Sequence, residues 1–149
     1  TDTRINFLNN LIKKIDNINY DFYGFENKEP IWGDNFYKAL VNSKMGLNLS
    51  RGLPTKYYSS NRIASLMGNG LLTFIDKKTQ MNDFFNNNEI IFYSDIKDLS
   101  EKIKFYKKNE KSRIKIAKNG KKKYFKLFNE LNTTKYIIAK SLGNKTFLY

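Results

Sequence analysis

The sequence predicts an α/β fold in which a Rossmann-like parallel sheet is flanked by helices. Short apolar segments alternate with segments of helical spacing along the chain, and strands that alternate with helices through short connections form parallel sheets. The continuous apolar segment Leu71–Ile75 is typical of a strand that is buried on both faces. The chain has 149 residues, of which 40% are hydrophobic, and this is enough for one sizeable core.

The first half of the chain is predicted to alternate between helix and strand. Apolar residues recur every three or four positions over Ile5–Ile15, which predicts a helix. The aromatic segment Tyr20–Phe25 predicts a strand, because aromatic residues are enriched in strands and turn-forming residues follow it. Asp34 is expected to cap a helix over Asn35–Ser43, and Met45–Leu49 is predicted to form the second strand.

The second half is predicted to contain two more strands and five helices after a polar loop at residues 50–59. Ser60 or Asn61 can cap the first of these helices, which Gly68 and Gly70 would end. We expect Asp95 or Asp98 to begin the third helix and Thr133 to cap the last. In chain order, the predicted elements are a helix over 61–67, a strand over 71–75, a short helix over 79–85, a strand over 90–93, and helices over 95–106, 110–128 and 133–142.

The domain prediction follows from this order of elements. Residues 1–130 are expected to form the Rossmann-like domain, and residues 131–149 are expected to form a C-terminal helix and tail. The chain enters a helical pattern almost at once after Thr1. We therefore expect it to be a fragment of a longer protein.

The composition excludes several classes of site. The chain contains no cysteine, so it can form neither disulfides nor thiolate metal sites. It also contains no histidine, which removes the commonest metal ligand and the side chain best suited to acid–base catalysis near neutral pH. No apolar run approaches the ~20 residues that span a bilayer, and no signal peptide opens the sequence. Any catalysis must use carboxylates, hydroxyls, backbone donors or fixed positive charge, or be supplied from another chain segment.

The basic excess leaves more than one interpretation open. Lys and Arg number 27 against 14 acidic residues, for a net charge of +13. A basic module could bind nucleic acid or anionic lipid through the predicted helix over Glu110–Phe128, or the domain could be catalytically silent and serve assembly. The excess is mostly lysine in a chain rich in Asn, Ile, Phe and Tyr, which favours compositional drift, and Lys121–Lys123 is interpreted as a solvated helix face.

A candidate anion site follows the strand predicted at Met45–Leu49. Ligands bind outside the carboxyl ends of the strands in open parallel sheets, and the amino end of a helix offers unpaired N–H groups to an anion. The spacing is neither a Walker loop nor a GxGxxG fingerprint. The alternative is that Ser60 or Asn61 only caps the helix and Arg62 covers its surface or pairs with an acid. The candidate phosphate-binding residues are Arg51, Ser59, Ser60, Asn61 and Arg62, and Ser50 and Gly52 beside them are candidates for binding the nucleotide or the sugar.

Two further features near this edge have both functional and structural interpretations. Asp76 follows the Leu71–Ile75 strand and could bind a sugar hydroxyl, although a capping role for the next helix is favoured. Tyr57 and Tyr58 could stack on a base, but neighbouring aromatic residues more often pack under loops.

Two segments carry a resemblance to a known family. Residues Phe36–Ser50 and Asn61–Gly70 resemble the carboxyl-terminal domain of GT-B glycosyltransferases, and they are most similar to the spore-maturation-protein-like group. In that family a helix ending in "y..al..s...lnls" leads to a strand, a loop and an "R.fE.macG" helix, followed by an apolar strand and an acid. Arg62 matches the family arginine and Gly70 the family glycine. The match extends over about residues 20–142, including Asp76, the strand over 90–93 and Ala117–Gly120.

The resemblance implies a glycosyltransferase, hexosyltransferase-like, that would be incomplete without an N-terminal domain. This half would hold a nucleotide diphosphate sugar, and the acceptor would be a glycan or a lipid-linked molecule. It implies no bound metal, because helix dipoles and basic residues, here Arg51 and Arg62, stabilise the departing diphosphate. Ser65 replaces the family acid that often contacts ribose or sugar, so Ser65, Asn61 or the backbone would have to take that role. The expected location is cytoplasmic, with peripheral contact at the inner face of the membrane as one option; nucleic acid is not favoured.

Overall fold

The computed structural model describes residues 3–25, 27–50, 52–58 and 60–143. Within them, three parallel strands form one sheet in the order β1 (Met45–Asn48), β2 (Leu72–Asp76) and β3 (Ile91–Tyr93). The register pairs Asn48 with Ile75 and Ile75 with Phe92, so the carboxyl ends of all three strands lie at one edge. The open parallel sheet flanked by helices confirms the predicted α/β, Rossmann-like fold.

Helices account for most of the remaining described residues. None of them is long and apolar enough to span a membrane. Two short 3₁₀ turns, Lys77–Thr79 and Met81–Asp83, replace the short helix predicted over residues 79–85. The helices are α1 (Thr3–Ile12), α2 (Gly33–Asn42), α3 (Asn61–Gly68), α4 (Ile96–Lys108), α5 (Glu110–Leu127) and α6 (Glu130–Ser141).

The central strand β2 is buried on both faces, as its apolar sequence predicts. Residues 72–75 are all buried, and their side chains alternate between two clusters of core residues. Leu72 and Phe74 pack in the cluster that contains residues of α1, α4 and α5. Ile75 packs in the cluster that contains Ile63 and Met67 of α3. The helices therefore cover both faces of the sheet.

Helix α3 lies unusually close to strand β1. A Cβ atom added to Gly46 would collide with the Leu66 side chain, so only glycine lets this leucine pack directly on the strand. Leu66 is also buried with Leu40 of α2 and Leu71. The close packing holds the amino end of α3 beside the carboxyl end of β1, where the candidate site lies.

The strand predicted over Tyr20–Phe25 is wrong. The segment instead turns on itself: Gly24 has a left-handed φ of 68°, and its N–H donates to the Lys28 carbonyl at 3.0 Å. The aromatic rings pack on one another, with the Tyr20 and Phe22 centroids 5.5 Å apart. Aromatic residues are enriched in strands because they fit a half-buried surface. Here the rings bury one another in a local cluster, so they need no neighbouring strand.

Two of the predicted helix caps are also wrong. The second helix begins at Gly33 without a side-chain cap, and Asp34 lies in its first turn, where its charge favours the positive end of the helix dipole. Asn129 caps α6 by accepting a hydrogen bond from the N–H of Asn132 at 2.8 Å, so α6 begins before Thr133. Asp95 caps α4 as predicted, accepting from the Asp98 N–H at 2.9 Å.

Candidate functional site

The carboxyl end of β1 and the amino end of α3 are joined by side chains. Asn48, the last residue of β1, is only 1% exposed. The Ser60 hydroxyl donates to Asn48 Oδ1 at 3.0 Å and accepts from the Arg62 N–H at 3.3 Å. Ser60 is therefore both the cap of α3, as predicted, and a link to the strand.

Two buried polar side-chain atoms at this junction have no hydrogen-bond partner among the described residues. They are Nδ2 of Asn48 and Oγ of Ser50, a residue that is 6% exposed. Leaving a buried donor unpaired costs about 1–3 kcal/mol, and such groups require an explanation such as a role in binding. The pair makes this junction a candidate site for the polar atoms of a ligand.

Arg62 adds fixed positive charge beside these atoms. Its Nη1 donates to the carbonyl oxygen of Leu49, the residue after β1, at 2.7 Å. No carboxylate of the described residues forms an ion pair with it. Partial burial lowers the pKa of the guanidinium, the charge of Arg4 acts in the same direction, and Tyr58 opposes both. An arginine still stays protonated in a protein, so the junction keeps a positive charge.

The remaining predicted site residues are distributed less closely. Arg51 and Ser59 lie outside the described residues. Gly52 adopts a φ of 99°, which favours glycine. Asn61 is exposed in the first turn of α3, and its carbonyl accepts a hydrogen bond from the Ser65 hydroxyl at 3.3 Å. The structure thus links Ser60 and Arg62 to the end of β1, where Ser50 follows in the chain, and joins Ser65 to Asn61 within α3.

Asp76 and Tyr57 take up structural positions in this structure. The Asp76 carboxylate accepts from the Lys78 N–H at 2.8 Å and caps the first 3₁₀ turn. Tyr57 packs edge-on against Phe84, with ring centroids 5.1 Å apart, and its hydroxyl donates to Asp83 at 2.7 Å. These contacts match the structural interpretation of both features.

Sequence reasoning missed Asn48 as a functional residue. The sequence does contain an indication of it, because an amide side chain occupies a strand position in the otherwise apolar segment Met45–Leu49. Polar side chains at buried strand positions need hydrogen-bond partners, so a role for Asn48 in binding could have been predicted. Its burial and its link to Ser60 depend on the packing of α3, which the sequence does not state.

A second polar region lies farther along the same edge. A cavity of about 460 Å³ opens at the ends of β2 and β3, lined among others by Lys77 and Ser94. Lys102 donates to the Phe92 carbonyl at 2.7 Å and to the Asp98 carboxylate at 2.8 Å. Burial would raise the pKa of Asp98, but hydrogen bonds from Lys102 and Ser94 lower it overall. The edge therefore presents polar groups from β1 to β3.

A family model described as glycosyl transferase-like matches residues 4–137. The match covers the whole sheet and all of α3, including the junction of Asn48, Ser60 and Arg62. The chain belongs to the glycosyl transferase-like family. This membership supports glycosyl transfer as its general function and a sugar donor and acceptor as its general partners. Comparison with curated proteins and with solved structures gives no match.

Metal ligands are sparse in this glycosyl transferase-like chain. Across residues 3–25, 27–50, 52–58 and 60–143, no group of three or more His, Cys, Asp or Glu side chains could hold a metal ion. The independence from metal that the family resemblance implies stays a prediction. In the described part of the site, the Arg62 guanidinium is a charged group that can meet an anion.

Proposed function

We propose that the chain is the donor-binding half of a glycosyltransferase of GT-B architecture, similar to the spore-maturation-protein group. It would transfer a sugar, as a hexosyltransferase does, from a nucleotide diphosphate sugar to a glycan or lipid-linked acceptor at the cytoplasmic face of a membrane. The observation that carries the proposal is the pair of buried atoms, Asn48 Nδ2 and Ser50 Oγ, that lack a partner among the described residues, at the strand end where Arg62 binds the Leu49 carbonyl.

The proposed mechanism rests on electrostatic stabilisation of the leaving group. When the bond between the sugar and the diphosphate breaks, negative charge grows on the diphosphate oxygens. The Arg62 guanidinium, the N–H groups at the start of α3 and the Asn48 amide would all be oriented toward that charge before the reaction, and such preorganised donors favour the transition state. Arg51 is proposed as a second cation on the basis of sequence alone.

The donor's ribose or sugar would lie beside the diphosphate. Ser65 stands where the resembled family has an acid, and its hydroxyl oxygen retains acceptor capacity while the proton is donated to the Asn61 carbonyl. We assign Ser65, Asn61 and Asp76 to this part of the donor. The acceptor and any catalytic base would come from a second domain, and we place the nucleotide-sugar domain at residues 1–130.

A thermal-shift screen tests the proposal directly. A ligand that binds only the native state adds about 2.7 kcal/mol of stability at a hundredfold excess over its Kd, which raises the Tm of a chain of this size by roughly 5–10 °C. We expect this shift with at least one nucleoside diphosphate or its sugar and none with the matching nucleoside, which lacks the phosphates. If no nucleoside diphosphate raises the Tm, the proposed donor site is wrong.

The Asn48→Leu variant separates binding from folding at the same site. Leucine has a similar size and removes the unpartnered Nδ2, which offsets the lost hydrogen bond from Ser60, so we expect the free energy of unfolding to change by less than about 1 kcal/mol. Affinity for the nucleoside diphosphate should fall about tenfold, since one hydrogen bond to a charged group is lost. Calorimetric titration measures the affinity and urea denaturation measures the stability.

The matched control for this variant is Asn42→Leu. Asn42 is an exposed asparagine at the end of α2, and its replacement should leave the affinity unchanged. An Asn48→Leu protein that binds as tightly as wild type would show that Asn48 does not contact the ligand.

A further inference from the structure

The outer face of α5 carries a continuous row of lysines. They are separated by four, three, four and four residues, so they lie within an arc of about 80° along about 22 Å of helix. All five are exposed. The row, which we call the lysine stripe, consists of Lys111, Lys115, Lys118, Lys122 and Lys126.

The stripe faces directly away from the protein. The buried residues of α5 are Arg113, Ile116, Ala117 and Gly120, and they project from the opposite side of the helix. No lysine of the stripe forms an ion pair or a side-chain hydrogen bond with a described residue. The one acid of α5, Glu110, pairs with Arg113 at 2.7 Å, and the sequence from Lys111 to Asn129 contains no Asp or Glu.

Large apolar side chains are exposed next to the stripe. Ile114 and Phe125 are 44% and 51% exposed, and both lie on the same side of α5 as Lys118 and Lys121. The following helix, α6, has no buried residue. Its exposed apolar side chains include Leu131, Ile137 and Ile138, and the exposed Leu142 directly follows it. A surface that combines uncompensated lysines with exposed apolar groups is typical of a helix that lies at a membrane interface.

We propose that the outer face of α5 docks onto an anionic lipid bilayer. Clusters of four to eight lysines on a helix attract acidic headgroups. Each lysine near the surface raises the affinity for the membrane by about tenfold or less. Ile114 and Phe125 would enter the boundary between headgroups and acyl chains. The absence of arginine from the stripe disfavours nucleic acid, because arginine is the residue that recognises phosphates through paired hydrogen bonds.

Vesicle binding by the full chain tests this proposal. We expect the protein to bind vesicles of phosphatidylglycerol and phosphatidylcholine in equal parts, to bind pure phosphatidylcholine far less, and to bind more weakly as salt rises. The triple variant Lys115→Gln, Lys118→Gln, Lys122→Gln should weaken binding about tenfold to a hundredfold. The control triple Lys14→Gln, Lys28→Gln, Lys38→Gln removes the same charge from exposed positions on other parts of the chain and should change binding less than about threefold.

A second variant tests the apolar part of the surface independently of charge. The double variant Ile114→Ser, Phe125→Ser should keep salt-sensitive attraction but lose the vesicle binding that persists at high salt. Equal losses from the two lysine triples would overturn the proposal in favour of net charge alone. Absence of binding to the mixed vesicles would also overturn it, as would tighter binding to an RNA or DNA oligonucleotide together with no effect of the apolar variant.

Discussion

Replacing Gly120 with alanine is expected to destabilise the protein by about 3 kcal/mol and to lower its Tm by roughly 10 °C. A Cβ atom at this position would overlap the backbone carbonyl of Glu89 and approach Met67 Cε to 3.2 Å. The carbonyl belongs to the segment that leads into β3, where Ile90 is fully buried, so it cannot move without shifting the strand. Urea denaturation followed by circular dichroism measures the change.

Alanine is a better helix former than glycine, so helix propensity alone would make Gly120→Ala stabilising. The expected loss of stability therefore depends on the collision with the Glu89 carbonyl. At an open helical position, Gly→Ala stabilises a protein by up to about 1 kcal/mol. Gly68 in α3 supplies the control, because the nearest atom to its added Cβ would be Phe125 Cζ at an ordinary 3.9 Å. We expect Gly68→Ala to leave stability unchanged or slightly higher. A Gly120→Ala protein as stable as wild type would show that the packing of α5 does not require Gly120 to lie against the Glu89 carbonyl.

The strands could be predicted where one local pattern settled them. Leu71–Ile75 reads as a buried strand because apolar residues fill every position, and β2 lies there. The Tyr20–Phe25 segment has equally strong strand formers, yet its rings pack on each other around the turn at Gly24. Strand formation requires a partner strand at the right edge. That partner is a property of the whole fold, so local composition could not decide it.

The predictability of the site residues also depends on whether their positions follow from local sequence or from distant contacts. Ser60 and Arg62 were predictable because a hydroxyl and an arginine at the start of a helix form a local pattern, and Ser60 caps α3 as expected. The burial of Asn48 and Ser50 was not predictable, because burial depends on which distant segments pack over the end of β1, such as Ser60 on Asn48. Residues that are far apart in the chain are in contact here, and the spacing of residues along the sequence does not indicate such contacts.

The Arg62→Ala variant is expected to bind nucleoside diphosphate about a hundredfold more weakly than wild type. A hydrogen bond between charged groups contributes up to about 3 kcal/mol, and the Arg62 guanidinium is already fixed on the Leu49 carbonyl, so little entropy is lost when it meets the ligand. Calorimetric titration at constant salt measures the two affinities. Urea denaturation should show a loss of stability near 1 kcal/mol, from the hydrogen bond to Leu49.

Lys122→Ala is the matched control for Arg62→Ala, because it removes one positive charge from the exposed face of α5. If the net charge of +13 drew the diphosphate to the protein without a specific site, the two variants would lose the same small affinity and the loss would vanish at high salt. If Arg62 contacts the diphosphate, only its removal matters, and the difference persists in salt because charges in direct contact lie well within the screening length. Arg62→Lys keeps the charge but not the planar pair of donors, so we expect it to recover about tenfold of the lost affinity. Equal, small losses from Arg62→Ala and Lys122→Ala would remove Arg62 from the donor site.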